Sequence, residues 1–173
     1  MNFDQNILLF IQENLRNEVL TPFIIAITKA GNKGLIWIFL LVILLIRKDT
    51  RQWGKIALLS FIVCVCCGEL IKYAVMRPRP FITIAELTPL VKPPHSFSFP
   101  SVHTVSSFAV ACIPLWAGKK RWALPLLILA FLMAFSRLYV GVHYPSDVLG
   151  GFILAICGSY LSWRLYHKFS WSE

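Results

Sequence analysis

Residues 122–147 read WALPLLILAFLMAFSRLYVGVHYPSD, and the two halves of that stretch make opposite demands on their surroundings. From Trp122 to Phe135 every side chain is apolar. Continued to Gly141, the run reaches the roughly 20 residues that cross a bilayer. From Ser136 to Asp147 the chain instead sets Arg137, His143 and Asp147 beside that span, with His143 six residues after Arg137 and four before Asp147. Titratable groups next to a membrane span are costly and mark function. The stretch therefore predicts a membrane helix that ends in a site, with His143 as candidate nucleophile and Asp147 as its orienting carboxylate.

The rest of the chain fits a membrane setting. Hydrophobic residues make up 57% of its 173 residues and charged ones only 14%, which is beyond the usual composition of a soluble domain. Apolar runs at 19–30, 34–46, 54–71, 103–117, 122–141 and 148–166 predict an all-α integral membrane bundle of about six transmembrane helices. One domain covering 1–173 suits that length. The first run is short, carries Lys29 and is joined to the second by Gly31, Asn32 and Lys33 alone. Before it, Ile7, Leu8, Phe10, Ile11 and Leu15 have amphipathic spacing, so the first helix is expected to be short or partly interfacial. Polar residues such as Asp4, Gln5, Gln12, Glu13 and Arg16 break up any apolar leader, which predicts insertion without cleavage.

Basic residues set the orientation. Arg47, Lys48, Arg51 and Lys55, then Lys119, Lys120 and Arg121, then Arg164 and Lys168 fall on connections expected to face the cytoplasm. The proline-rich 78–100 segment and the 137–147 turn then share the opposite face. The tryptophans Trp53, Trp116, Trp122, Trp163 and Trp171 are expected to form interfacial belts. The net charge of +9 is spread along inner loops and the site face, which favours anionic lipid headgroups over nucleic acid as partner. Cys64, Cys66, Cys67, Cys112 and Cys157 lie inside apolar runs without metal-site spacing and are expected to be packing residues; neither a metal nor a cofactor is expected.

The shared face carries cations suited to a phosphoryl group. Lys72, Arg79 and Arg137 supply fixed positive donors for charge spread over several oxygens. Pro100-Ser101 opens a helix, so the Ser101 hydroxyl and the Val102 and His103 amides are expected to point at the same anion. His143 with Asp147 one turn on is the better nucleophile, leaving His103 as general acid to the departing oxygen and then as base for water. Pro145 restricts Tyr144, which places His143 just before the last span and Asp147 in its first turn. Glu69, three residues before Lys72, is a candidate partner for that lysine. Arg77, Lys92 and His95 suit interfacial anchoring, while Arg77 with the 81–99 loop also flanks the motifs and is a candidate for headgroup selection.

Lys72 with Arg79-Pro80, Pro100-Ser101-Val102-His103, and Ser136-Arg137 with His143 and Asp147 together resemble the signature of the type 2 phosphatidic acid phosphatase family, membrane lipid phosphatases related to vanadium haloperoxidases. The resemblance covers about 54–166 and includes spacing, order and layout. It implies a metal-independent lipid phosphatase working through a phosphohistidine, and the small size resembles bacterial members, placing it in an inner membrane with its site on the extracytoplasmic side. Val102 stands where the family has glycine, keeping the N–H but adding a branched side chain. Undecaprenyl diphosphate is the first expected substrate, followed by phosphatidylglycerol phosphate and the 1-phosphate of lipid A. A non-hydrolytic lipid binder or transporter and a lipid phosphotransferase are the competing readings.

Overall fold

Long apolar runs ending in polar turns leave the chain one way to satisfy its backbone in lipid, which is to close every hydrogen bond within helices. The computed structural model describes residues 3–170, among which there is no strand; Trp171 lies outside them. In order the elements are α1 (Phe3–Asn14), α2 (Leu20–Ala30), a 3-10 turn at Asn32–Gly34, α3 (Leu35–Ile46), α4 (Arg51–Val75), the short α5 (Pro80–Thr83), α6 (Val102–Ala111), α7 (Ile113–Trp116), α8 (Lys120–Tyr139) and α9 (Pro145–Ser170).

Helix α6 forms the centre, with every residue from Thr104 to Ala111 buried. It is packed by α4, α8 and α9. Its small side chains allow close approach, and Phe108 fills the remaining space with edge-on contacts to Phe131 at 4.9 Å and Phe152 at 4.7 Å. The outward faces of the surrounding helices expose Phe39, Ile62, Leu124 and Ile153, as expected of surfaces solvated by lipid. The glycines Gly141, Gly150, Gly151 and Gly158 all face this chain's own atoms, so their close contacts serve packing within the bundle. Cys64 and Cys112 are buried packing residues, whereas Cys66 and Cys157 are exposed on the outer surface.

Helices α4, α8 and α9 are each long and apolar enough to cross a membrane. Helix α8, with 20 residues, extends about 30 Å. The first two apolar runs behave differently. Helices α2 and α3 are 11 and 12 residues long, and they meet at a 54° bend. Neither alone spans a hydrocarbon core of about 30 Å. Helix α1 and the turn after it hydrogen-bond the 81–91 segment through Gln12 to Glu86 and Arg16 to Thr88 at the site end of the bundle. The α3–α4 turn lies at the other end, where Gly54 abuts Leu44 and Arg47 stacks on Trp122. The two runs expected as separate spans thus traverse the bundle once, as a broken helix. The amphipathic segment ahead of them is a separate helix lying on the site face.

Candidate active site

The site is assembled where four chain breaks meet. Helix α4 ends on Met76, whose φ of 51° places it in the left-handed region and turns the chain back. Arg79 follows in extended conformation ahead of Pro80, which starts α5 and ties the arginine to the interior. Helix α8 ends at Tyr139, and Gly141 at φ 75° takes a positive-φ position suited to glycine, bringing Val142 and His143 back beneath Arg137. Helix α9 begins at Pro145. Asp147 in its first turn accepts the Tyr144 N–H at 2.9 Å, half of a capping box that fixes the carboxylate at the start of the helix.

These turns enclose a cavity of about 370 Å³. Lys72, Arg79, Val102, His103, Arg137, His143 and Glu69 line it. Arg79 is almost fully immobilised: Nε donates to the Ser96 carbonyl at 2.7 Å, Nη2 to the Ser96 hydroxyl at 3.0 Å and Nη1 to the Val142 carbonyl at 2.9 Å. Nη1 also lies 3.1 Å from His143 Nε2. A guanidinium only donates, so Nε2 is the acceptor and the imidazole carries its proton on Nδ1. That nitrogen faces Asp147 Oδ2 at 3.4 Å. Burial, followed by the charges of Arg79, Arg137 and Lys72, holds the His143 pKa well below its ordinary 6.5. His143 is therefore neutral, with one lone pair directed at the cation cluster.

Lys72 donates to Glu69 at 3.0 Å. Arg137 donates to the Thr28 hydroxyl through Nη1, while its Nε is buried with no partner. His103 Nε2 is buried without a partner as well. Two orphaned polar atoms on the wall of one cationic cavity call for a ligand that can satisfy them. Val102 occupies the first position of α6 at negative φ, so no left-handed backbone is demanded of it and valine is unstrained there.

Not every expected residue meets the cavity. Ser101 is absent from its lining; its hydroxyl accepts from Thr104 at 3.0 Å, and its N–H bonds the Asp147 carbonyl at 3.1 Å. Asp147 stands behind His143. Arg77 is neither a free anchor nor a cavity residue, because it bonds the far oxygen of Asp147 at 2.7 Å. His95 and Lys92 are exposed. Sequence reading missed Asn32 and Lys33 and covered Ser96 only as part of the 81–99 loop; all three line the cavity. The run Gly31-Asn32-Lys33-Gly34 between two apolar stretches was the available signal, since a polar break at membrane depth is tolerated where it lines a cavity. Among the described residues, no three His, Cys, Asp or Glu side chains converge as a metal site.

A sequence model of the PAP2 superfamily matches residues 53–171. The undecaprenyl-diphosphatase of Sulfolobus acidocaldarius is 37% identical over 145 residues, which is 83% of this chain and 69% of that protein. The corresponding protein of Bacillus subtilis is 33% identical, across 86% of this chain and 76% of the relative. The crystal structure of a transmembrane PAP2-type phosphatidylglycerolphosphate phosphatase from Bacillus subtilis superposes with a TM-score of 0.78 at 28% identity, covering 95% of this chain and 85% of that one.

Proposed function

The chain belongs to the PAP2 superfamily and is an integral membrane lipid phosphatase, and we propose that it removes the terminal phosphate of undecaprenyl diphosphate through a phosphohistidine at His143, without a metal. The observation that carries this reading is the pair of contacts on one imidazole, with Nδ1 facing Asp147 and Nε2 facing Arg79 inside a cavity lined by cations.

In the first half-reaction His143 Nε2 attacks phosphorus. The bond from phosphorus to the lipid-side oxygen breaks, and His103 gives that oxygen its proton. The Nδ1 proton of His143 stays hydrogen-bonded to Asp147, which offsets the positive charge that develops on the ring. Water then attacks the phosphohistidine with His103 as base, releasing inorganic phosphate and returning His103 to its protonated form and His143 to its neutral one. Lys72, Arg79 and Arg137 neutralise the equatorial oxygens throughout, the task a metal performs in other phosphoryl transfers. The unpartnered Nε of Arg137 is a donor for one of those oxygens. The Val102 and His103 amides at the start of α6 are further donors. Ser101 supports them from behind through its contacts with Thr104 and α9.

The substrate reading draws on three supports. Two relatives are named undecaprenyl-diphosphatases. The cavity has room for a phosphorylated headgroup and no more than the head of the chain. Phe61 and Val65 give it an apolar wall beside Gly34, the side suited to the first isoprene units of a lipid tail. The basic loops gathered at the opposite end of the bundle support a bacterial inner-membrane location with the site on the extracytoplasmic side.

The test is phosphate release by purified protein in detergent with a chelator present, against undecaprenyl diphosphate, phosphatidylglycerol phosphate, phosphatidic acid and lipid A, for wild type and His143→Ala. Release in chelator that vanishes in the variant is the expected result, with undecaprenyl diphosphate the fastest substrate. Activity that survives His143→Ala would overturn the phosphohistidine, and loss of activity in chelator restored by a divalent cation would overturn metal independence. A different lipid at the head of the ranking would reassign the substrate. Transfer of phosphate to an added alcohol in preference to water would make the protein a phosphotransferase.

A further inference from the structure

We propose that Arg77, held by Asp4 from α1, is a positioning residue for Asp147 and through it for His143, so that the N-terminal helix is a working part of the active site. The inference rests on the reading of His143 as nucleophile and Asp147 as its orienter. Asp147 is completely enclosed, and a carboxylate out of water persists only when it is paired and fully hydrogen-bonded. Its Oδ2 takes the Tyr144 N–H and faces His143 Nδ1. Neither of those donors is charged when the imidazole is neutral. Oδ1 takes Arg77 Nη1 at 2.7 Å. Arg79 meets the opposite edge of the imidazole, which leaves Arg77 as the cation that hydrogen-bonds the carboxylate.

Arginine at the end of a long stem does not hold such a position unaided. Arg77 keeps 29% of its side chain exposed and is fixed by three contacts. Nη1 also donates to the Ser146 hydroxyl at 2.7 Å, Nη2 donates to Asp4 Oδ2 at 2.9 Å, and the guanidinium stacks 3.9 Å from the Tyr144 ring centroid. Asp4 does a second job. Its Oδ1 accepts the Ser146 N–H at 3.1 Å and its Oδ2 accepts the Ser146 hydroxyl, so a carboxylate from α1 caps the first turn of α9. The same helix is anchored to the site face by Gln12 on Glu86 and Thr88, and the turn that follows it by Arg16 on Tyr139 and Thr88. Arg77 and Asp4 are both absent from the lining of the His143 cavity, so the contact by which they reach it is the one to Asp147.

The experiment compares wild type, Arg77→Ala, Arg77→Lys, Asp4→Ala and the Asp4→Ala/Arg77→Ala double variant in detergent with undecaprenyl diphosphate, or with whichever lipid of the panel is cleaved. Arg77→Ala is expected to lower kcat on the order of 10- to 100-fold with KM within about 2-fold, the scale of losing an outer partner that orients a reacting group. Arg77→Lys should recover part of that loss, since it keeps the charge without the planar fork. Asp4→Ala should cost several-fold alone and clearly less in the Arg77→Ala background, where only its cap on Ser146 remains to be lost. A rise in KM with kcat intact would make Arg77 a headgroup contact, and equal losses from Asp4→Ala in both backgrounds would remove Asp4 from the chain; either overturns the proposal. A readout independent of any substrate is the 15N shift of the His143 ring nitrogens. With Arg79 still holding Nε2 as the acceptor the Nδ1–H tautomer should persist in both proteins, but the Nδ1 nitrogen and its proton should shift in Arg77→Ala as the hydrogen bond to Asp147 weakens, and an unchanged spectrum would also overturn the proposal. Absence of hydrolysis by wild type would strike the proposed function while leaving the nitrogen shifts to decide this one.

Discussion

Replacing Gly151 by alanine puts a single methyl group between the two halves of the site. A Cβ at that position would lie 2.8 Å from the Ser101 carbonyl oxygen, 3.2 Å from Thr104 Cβ and 3.4 Å from a Val105 methyl. The closest of these is backbone, so no side-chain rotation relieves it. Restoring ordinary contact requires α6 and α9 to separate by about 0.6 Å at their N-terminal ends, where one carries Val102 and His103 and the other follows His143 and carries Asp147. Overpacking of this kind costs about 1–3 kcal/mol, and the helix propensity gained by exchanging glycine for alanine returns about 1 kcal/mol. The net cost is therefore about 0–2 kcal/mol, a fall in Tm of no more than about 8 °C. Catalysis is less forgiving, because reacting groups must be held within roughly 0.5 Å. Loss on the order of 10-fold in kcat is expected. Thermal unfolding in detergent and phosphate release on the same preparation read the two effects separately. Gly68→Ala is the contrast: its Cβ would meet Val105 methyls at 3.6 and 3.7 Å, an ordinary contact, so a rise in Tm with unchanged kcat is expected. Wild-type turnover in Gly151→Ala would refute the claim that the α6–α9 spacing sets the site.

The remaining predictions concern the ionisable and lining groups. Because His143 is held below its ordinary 6.5, it stays neutral as pH falls through 6.5, and the acid limb of kcat/KM assigned to it should lie below that value. Its contribution to stability is complete above 6.5 and declines as pH drops toward the folded pKa, since the unfolded chain takes up the proton first; Tm measured at pH 5 and 7.5 should differ less in His143→Ala than in wild type. Val102→Gly should lower Tm slightly and change kcat by no more than about 3-fold, because valine already sits at a helical φ and glycine adds only backbone freedom. A large gain in activity would show that the branched side chain obstructs the cavity. Glu69→Gln should raise KM a few-fold through a less well-placed Lys72 while costing under about 1 kcal/mol of stability, as Glu69 is 44% exposed; an unchanged KM would separate the pair from substrate binding.

Local spacing made much of the site legible. The four-residue interval from His143 to Asp147, with Pro145 to start a helix, sufficed to place one before the last helix and the other in its first turn. Lys72 and Arg79 were legible as cations on the same face because helix parity brings the 72–103 and 137–147 segments together. What escaped was carried by contacts between distant parts of the chain. Nothing near Arg77 in sequence announces that its partner is Asp4, and a lone arginine at a helix end reads as an anchor. The Ser101 hydroxyl was expected on the anion, yet the approach of α9 at Gly151 turned that stretch toward packing. The polar break at Gly31–Gly34 reads as a connector until the bend between α2 and α3 brings it against Met133 and His103.

That bend also sets α1 and the end of α9 at opposite ends of the bundle. Because α2 and α3 traverse the bundle only once, α1 lies at the site end, while α9 starts there and runs to the other. A reporter fused ahead of α1 and one fused after α9 would sit across the bilayer from each other, and a protease sealed out of vesicles would remove one and spare the other.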